Sequence, residues 1–232
     1  MTLFVVSRPT IMKAWRIGIL VLPVLLYLSC LAFAEESVGN LAARVDEHYN
    51  HLKSLRSNFE EIYQGAGVSR HESGELWLLK PGKMRWDYKQ PRPKLFVTDN
   101  KSAYFYVPGD RQARRLPVKN LEDFRSPIRF LLGHTKLQKE FDHLTISTEK
   151  AVNPGNIVLQ GVPRDMKERV NRVVLEMTPA GQLTRIFIEE LDGSMTDFRF
   201  TNIEEDVPVK PGLFKFKAPE GVQVIESNEG AP

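Results

Sequence analysis

The pattern of apolar and polar positions predicts a chain that is mostly β-strand. Apolar residues at spacings of three and four predict one long amphipathic helix from Ser37 to about Lys53. Period-two segments between Pro-, Gly- and Asn-containing turns then predict about eleven strands in meander order. The first of these strands runs from about Arg56 to Gln64 and the last from Leu213 to Ala218.

The stretch from Gly74 to Pro91 holds the densest pattern. A short apolar run ends at Leu79, Lys80-Pro81-Gly82-Lys83 predicts a turn, and Met84, Trp86 and Tyr88 then recur at every second residue. This period places the three large side chains on one face of a strand. We therefore expect them to cover a core or to line an apolar cavity.

A second, short helix is predicted between residues 120 and 133. Ser126 is a helix-capping residue, Pro127 suits the first helical position, and the helix ends at Gly133. Its apolar face consists of Ile128, Leu131 and Leu132.

Several predicted strands are apolar on both faces, such as Leu76 to Leu79 and Arg185 to Ile188. This pattern favours a strongly curved antiparallel sheet or an open barrel, with a helix inside the curve or over its mouth. No repeat or linker divides the chain, so we expect a single domain over residues 35–232.

The first 34 residues are typical of a cleaved export signal. Basic residues precede an apolar run from Ile17 to Leu28, and Ala32-Phe33-Ala34 predicts cleavage before Glu35. The formal net charge of +3 comes from 32 basic and 29 acidic residues, and the signal segment holds an excess of three basic ones. The mature chain is therefore expected to be neutral and periplasmic. The only cysteine, Cys30, leaves with the signal unless it is lipidated, which is the open alternative.

Patterns typical of catalysis or metal binding are missing from the sequence. His48 and His51 lie three residues apart on the predicted helix without a third ligand at suitable spacing, which favours a solvated face over a metal site. No H-E-x-x-H, G-x-S-x-G or phosphate-binding glycine loop occurs, so we expect neither an enzyme nor a metal or nucleotide cofactor.

Charge is segregated along the chain. Basic residues dominate between Lys80 and Lys119, whereas acidic residues dominate between Glu189 and Asp206. An exported protein seldom meets nucleic acid, so this polarity favours an acidic protein or an anionic lipid surface as the partner. Ordinary solvated sheet faces are the alternative.

An ordered series of motifs resembles the periplasmic outer-membrane lipoprotein carrier family, LolA. The series comprises Gly74-Glu75-Leu76-Trp77, the run from Lys80 to Tyr88, Gln90-Pro91, Tyr104-Phe105-Tyr106, Ser126-Pro127, Leu131-Leu132-Gly133, Phe214-Lys215-Phe216 and Pro219 to Val222. The resemblance covers Val38 to about Ile225, essentially the whole mature chain.

The resemblance implies a mainly β, unclosed antiparallel half-barrel of about eleven strands, with the helices as a lid over an apolar cavity. The implied carrier uses no cofactor and is a monomer. It takes lipoproteins from an inner-membrane ABC transporter and passes them to the outer-membrane acceptor LolB or its equivalent.

The resemblance also implies the site residues. The cavity would be lined by Trp77, Met84, Trp86, Tyr88, Tyr104, Tyr106, Ile128, Leu131 and Leu132. Lys80 and Pro81 would form a lid latch, with Lys80 in the place where the family commonly carries arginine. Glu61 stands where glutamine is often found.

Other functions remain open at this point. An outer-membrane-anchored acceptor of the same fold would carry a lipidated Cys30. A lipoprotein-sensing interaction module would be expected to bring a further domain. An envelope hydrolase would require a nucleophile motif that the sequence does not present.

Overall fold

The computed structural model describes residues 36–118, 136–210 and 212–227. Its long helix, α1, spans Val38–His51, and a short helix, α2, spans Leu137–Glu140. The strands are β1 (Ser54–Gly65), β2 (Val68–Leu79), β3 (Lys83–Gln90), β4 (Lys94–Asp99), β5 (Ser102–Tyr106), β6 (Gln112–Pro117), β7 (Phe141–Ile146), β8 (Ile157–Pro163), β9 (Val170–Met177), β10 (Leu183–Glu190), β11 (Met195–Glu205) and β12 (Gln223–Glu226). A 3₁₀ turn at Arg164–Met166 follows β8.

These strands form one unclosed sheet in the order β12-β6-β5-β4-β3-β2-β1-β11-β10-β9-β8-β7. Two antiparallel meanders, β1 to β6 and β7 to β11, are joined by the pairing of β1 with β11. β12 pairs with β6 in parallel and forms one end of the sheet, while β7 forms the other. The mainly β, unclosed fold with one long helix is therefore confirmed.

The final predicted strand, Leu213 to Ala218, is wrong. These residues form turns and irregular structure, and the last strand is instead β12 at Gln223–Glu226. The alternation of Phe214 and Phe216 reflects side-chain packing, since Phe214 is buried and Phe216 stacks on Tyr104. The nearby prolines lack the N–H that a strand ladder needs.

Other differences are smaller. The short helix α2, which directly precedes β7, was not predicted from the sequence. The short helix predicted between residues 120 and 133 lies outside the described residues.

The long helix packs on one face of the sheet, which we call the inner face. Ser37 caps α1 by accepting a hydrogen bond from the Asn40 N–H at 3.2 Å, and the buried side chains of α1 follow the predicted three-and-four spacing. Tyr49 is 1% exposed and its hydroxyl accepts a hydrogen bond from the Leu183 N–H of β10. The buried helix residues form one cluster with inward side chains of β1, β2, β3 and β8 to β11.

One fully buried carboxylate, that of Glu176, holds the loop before β8 in place by hydrogen bonds. Glu176 accepts hydrogen bonds from the backbone N–H groups of Val152 and Asn153 and from the side-chain amides of Asn153 and Asn156, at 2.8 to 2.9 Å. Burial alone would raise the pKa of Glu176, but these hydrogen bonds outweigh it and hold the pKa below its ordinary value. The carboxylate is thus a satisfied structural group.

Within the described part of the chain, no helix is long and apolar enough to cross a membrane.

Candidate ligand-binding face

The register between β2 and β3 decides which side chains face the helix. Leu76 pairs with Trp86 and Leu78 pairs with Met84. Paired residues of neighbouring strands point to the same face, so these four side chains share the inner face, and all four are at most 3% exposed. Met84 and Trp86 therefore lie on one face of β3, as their spacing in the sequence predicts.

Aromatic rings extend this inner face along the sheet. The Phe59 ring lies 4.6 Å from the Trp86 ring and 4.9 Å from the Tyr88 ring, both in edge-to-face geometry. Phe198 approaches Trp86 from β11 at 5.7 Å. The rings thus form a continuous aromatic row across β11, β1 and β3.

The inner face becomes less buried beyond this row. Tyr88 is half-buried, and Phe96, which pairs with Trp86, and Phe105, which pairs with Phe96, are half-buried as well. The inner face of β3 to β5 therefore presents apolar surface that the described core covers only in part. This surface, defined by Tyr88, Phe96 and Phe105, is the candidate binding face.

Three residues that were predicted to line the cavity lie on the outer face of the sheet. Trp77 pairs with Arg85, and Tyr104 pairs with Val97, which places them on the outer face together with Tyr106. The Trp77 Nε1–H donates to Glu75 at 2.9 Å, and the guanidinium of Arg56 lies 5.1 Å from its ring centroid. Trp77, Tyr104 and Tyr106 therefore do not share a face with Met84 and Trp86, and their predicted place in one cavity with those residues is wrong.

The outer aromatic residues form a second, separate surface. Tyr104 stacks on Phe216 at 5.0 Å, and Tyr106 lies 5.9 Å from the same ring. A surface cavity of about 570 Å³ adjoins Phe216 and is lined also by Arg85, Leu95, Gly212, Lys215 and Lys217. Arg85 forms a two-pronged ion pair with Asp87 on this side of the sheet, so it faces away from the candidate binding face.

The predicted latch residues lie in the turn between β2 and β3. The Lys80 Nζ is buried and has no hydrogen-bond partner among the described residues. Burial lowers the Lys80 pKa, while the Asp206 carboxylate acts in the opposite direction. Pro81 follows in the same turn. The remaining predicted cavity residues, Ile128, Leu131 and Leu132, lie outside the described residues.

A polar cluster that the sequence did not predict adjoins the aromatic row. The Tyr88 hydroxyl donates to Glu61 Oε2 at 2.6 Å, and Lys94 pairs with Glu72 at 2.5 Å. The Lys94 ammonium also lies 4.1 Å from the centroid of the Tyr88 ring. The only sequence signal was that Glu61 stands where glutamine is often found in similar proteins.

Burial raises the pKa of Glu61, although the Tyr88 hydroxyl and Lys94 oppose this shift. Burial likewise raises the pKa of Tyr88 well above its ordinary value, so the phenol stays protonated and donates to the carboxyl group.

The helix histidines have partners. His48 Nε2 lies 2.7 Å from Glu205 Oε1, and His51 Nδ1 lies 2.8 Å from the Glu47 carbonyl oxygen. Across the described ranges, no group of three or more His, Cys, Asp or Glu side chains is placed to hold a metal ion.

These features define a class of protein, namely an unclosed β-sheet protein with a helix on an aromatic, partly buried inner face. The model of the outer membrane lipoprotein carrier protein LolA family matches residues 50–217. The chain belongs to this family of lipoprotein carriers, whose members are periplasmic.

Individual relatives support this placement. An outer-membrane lipoprotein carrier protein of Alkalilimnicola ehrlichii is 30% identical over 195 residues, which is 82% of this chain and 86% of the relative. A protein with the same name from Nitrosospira multiformis is 27% identical over 204 residues, covering 86% and 95% of the two chains. A conserved protein of Thermus thermophilus shares the fold, with a TM-score of 0.54 at 13% identity over 83% of this chain and 100% of that chain.

The raised pKa of the half-buried Glu61 predicts a pH-dependent gain of stability on substitution. Because its folded-state pKa is raised, the charged form destabilises the folded protein above that pKa, and this cost disappears as the pH falls and the group is protonated. We expect Glu61→Gln to raise the free energy of unfolding at pH 7. The gain should vanish near pH 4, about the pKa of an unfolded glutamate.

Urea denaturation at several pH values measures this difference. Glu60→Gln is the matched control, since Glu60 is the exposed neighbour on the same strand and should show no such change. A Glu61→Gln protein that is less stable than the wild type at pH 7 would contradict the assignment.

Proposed function

We propose that this protein is a soluble periplasmic carrier that accepts lipoproteins released from the inner membrane and delivers them to an outer-membrane acceptor. The observation that carries the proposal is the candidate binding face, where Tyr88, Phe96 and Phe105 present half-buried rings on the inner side of an unclosed sheet. Membership of the lipoprotein carrier family supports the same reading.

The physical need for such a face follows from the cost of exposing acyl chains to water. Each exposed methylene costs about 0.8 kcal/mol, so one chain of about fifteen methylenes costs about 12 kcal/mol. A carrier must recover much of this cost without holding the chain too tightly for release. A partly covered aromatic face can do this, because rings already packed against one another need little reorganisation to accept a ligand.

The proposed transfer partners are an inner-membrane lipoprotein-releasing ABC transporter and the acceptor LolB or its equivalent. The basic residues near the outer-face cavity, Lys215 and Lys217, are exposed and support contact with an acidic partner surface. Elsewhere the predicted charge polarity is partly neutralised within the chain, for example by the ion pair between Arg115 and Glu226.

Neighbouring residues on β4 provide a matched test of the binding face. Phe96 points inward, whereas Leu95 points to the outer face and lines the cavity there. We expect Phe96→Glu to weaken binding of an acylated lipopeptide at least tenfold, because it places a charge against the acyl chains. Leu95→Glu should bind normally.

Binding can be measured by titration calorimetry after circular dichroism has established that both variants are folded. Equal loss in the two variants, or loss only in Leu95→Glu, would argue against the inner face as the binding face.

We further propose that Lys80 acts as a latch for the predicted lid residues Ile128, Leu131 and Leu132. A buried ammonium without a hydrogen bond is costly, so a partner that pairs with it in one lid position would bias the lid toward that position. Lysine keeps the charge of the arginine that the family commonly carries here but lacks its planar fork.

The latch predicts that Lys80→Leu changes the rate of lipoprotein release more than the rate of capture. Stopped-flow measurement of both steps with a fluorescent lipopeptide would check this, with Lys83→Leu at the start of β3 as the control. Equal changes in the two rates would remove the latch role.

The proposed mature protein is a single domain of residues 35–232, formed after cleavage of a signal peptide of residues 1–34. Intact-mass measurement of protein purified from the periplasm should therefore give a chain that begins at Glu35, and native mass spectrometry should detect bound lipoprotein. A chain beginning at a lipidated Cys30 would instead support the anchored acceptor of the same fold.

A further inference from the structure

The segment of residues 212–217, which we call the C-terminal segment, lies against the outer face of the sheet. The Arg85 guanidinium donates from Nη1 to the Leu213 carbonyl oxygen at 3.0 Å. The Phe216 ring stacks on Tyr104, with 5.0 Å between the ring centroids. These contacts hold the C-terminal segment on the outer faces of β3 and β5, on the side of the sheet opposite α1.

The surface cavity of about 570 Å³ on this side is lined by the C-terminal segment and by two residues of the sheet, Arg85 and Leu95. Its volume lies within the range of about 300 to 1,000 Å³ that is usual for ligand sites. A Cβ atom added at Gly212 would meet no other atom within 4 Å, so the space beside the backbone is open there. Leu95 and Phe216 supply apolar contact. The cavity therefore has the space and the apolar surface to take a side chain of a ligand.

The charge at this cavity is positive. Arg85 is neutralised by its two contacts of 2.7 Å with the Asp87 carboxylate. Lys215 and Lys217 are exposed and have no ion-pair partner among the described residues. Two ammonium groups without a counter-charge from the described chain therefore lie on either side of Phe216 in the sequence and line the same cavity.

This combination of charge and apolar surface indicates the class of ligand. The two ammonium groups attract carboxylates, and complementary charge of this kind provides specificity and fast association. The side chains of Leu95 and Phe216 favour an aliphatic or aromatic group between the carboxylates. An anionic membrane surface would satisfy the lysines but would not fill the cavity. An acidic peptide segment that carries an apolar side chain fits both features.

We propose that the outer-face cavity binds an acidic segment of a partner protein. Lys215 and Lys217 pair with its carboxylates, and an apolar side chain of the segment packs against Leu95 and Phe216. The site lies on the face opposite the candidate binding face, so it does not depend on the binding of acyl chains. The protein can therefore hold a ligand on the inner face and a partner on the outer face at the same time.

The test uses two fluorescently labelled synthetic peptides of equal length. In one, Asp and Glu alternate with Leu and Phe, and in the other Asn and Gln replace the acidic residues. Binding to the full mature chain is measured by fluorescence anisotropy at low and at high salt. We expect the acidic peptide to bind about tenfold more tightly at low salt and to lose most of this advantage at high salt, where exposed charges are screened. Equal affinities at low salt would overturn the site.

Charge reversal locates the binding. The double variant Lys215→Glu/Lys217→Glu should weaken binding of the acidic peptide about tenfold or more. The matched control is Lys150→Glu/Lys167→Glu, which makes the same change of charge at two exposed lysines near β7 and β8, at the other end of the sheet. The control should bind normally. Equal losses in the two double variants would show that only the net charge matters and would overturn the site.

Two further outcomes would also contradict the proposal. The acidic peptide should bind equally well to protein saturated with an acylated lipopeptide, and its displacement by the lipopeptide would place it on the inner face instead. Binding to vesicles of phosphatidylglycerol and phosphatidylcholine without binding of the acidic peptide would assign the lysines to a membrane surface. The proposed carrier function is tested separately, because it depends on lipopeptide binding and not on the acidic peptide.

Discussion

The pairing of β2 with β3 fixes which side chains of the sheet face the helix, and the rest of the structure depends on it. If β2 keeps its place beside β1, a shift of β3 by one residue would turn Met84 and Trp86 to the outer face and bring Arg85 inward. The observed register instead places Leu76, Leu78, Met84 and Trp86 against the buried face of α1. The aromatic row from Phe198 through Phe59 to Tyr88 exists only because this register is kept.

The sequence predicted the fold well where its patterns are local. The spacing of apolar residues in α1 and the period of two in β3 specify a helix and a strand without reference to the rest of the chain. β12 could not be predicted in this way, because its parallel pairing with β6 joins residues about a hundred positions apart and its short segment has little pattern of its own.

The candidate site was predicted only in part, for a related reason. In runs that are apolar or aromatic at every position, such as Tyr104-Phe105-Tyr106, composition does not reveal which residues face inward. Pairing with β4 turns Phe105 inward and both tyrosines outward. The surroundings of Glu61 were equally hidden, since the groups that act on it come from β2, β3 and β4.

Two glutamates show how the surroundings of a carboxyl group set the direction of its pKa shift. Glu176 receives four hydrogen bonds from a loop, and its pKa lies below the ordinary value despite its burial. Glu61 receives one hydrogen bond, from a neutral phenol, and burial raises its pKa. A carboxylate whose desolvation is only partly offset costs stability when it is charged.

The central claim is that acyl chains bind the inner face and not the outer one, and the tryptophans provide a direct test. Trp86 lies on the inner face and Trp77 on the outer face, and the third tryptophan, Trp15, lies in the proposed signal peptide. Each of the variants Trp77→Phe and Trp86→Phe leaves one tryptophan in the mature protein. A lipopeptide with brominated acyl chains quenches the fluorescence of that tryptophan if the chains bind near it. We expect quenching of Trp86 and not of Trp77, and quenching of Trp77 alone would contradict binding at the inner face.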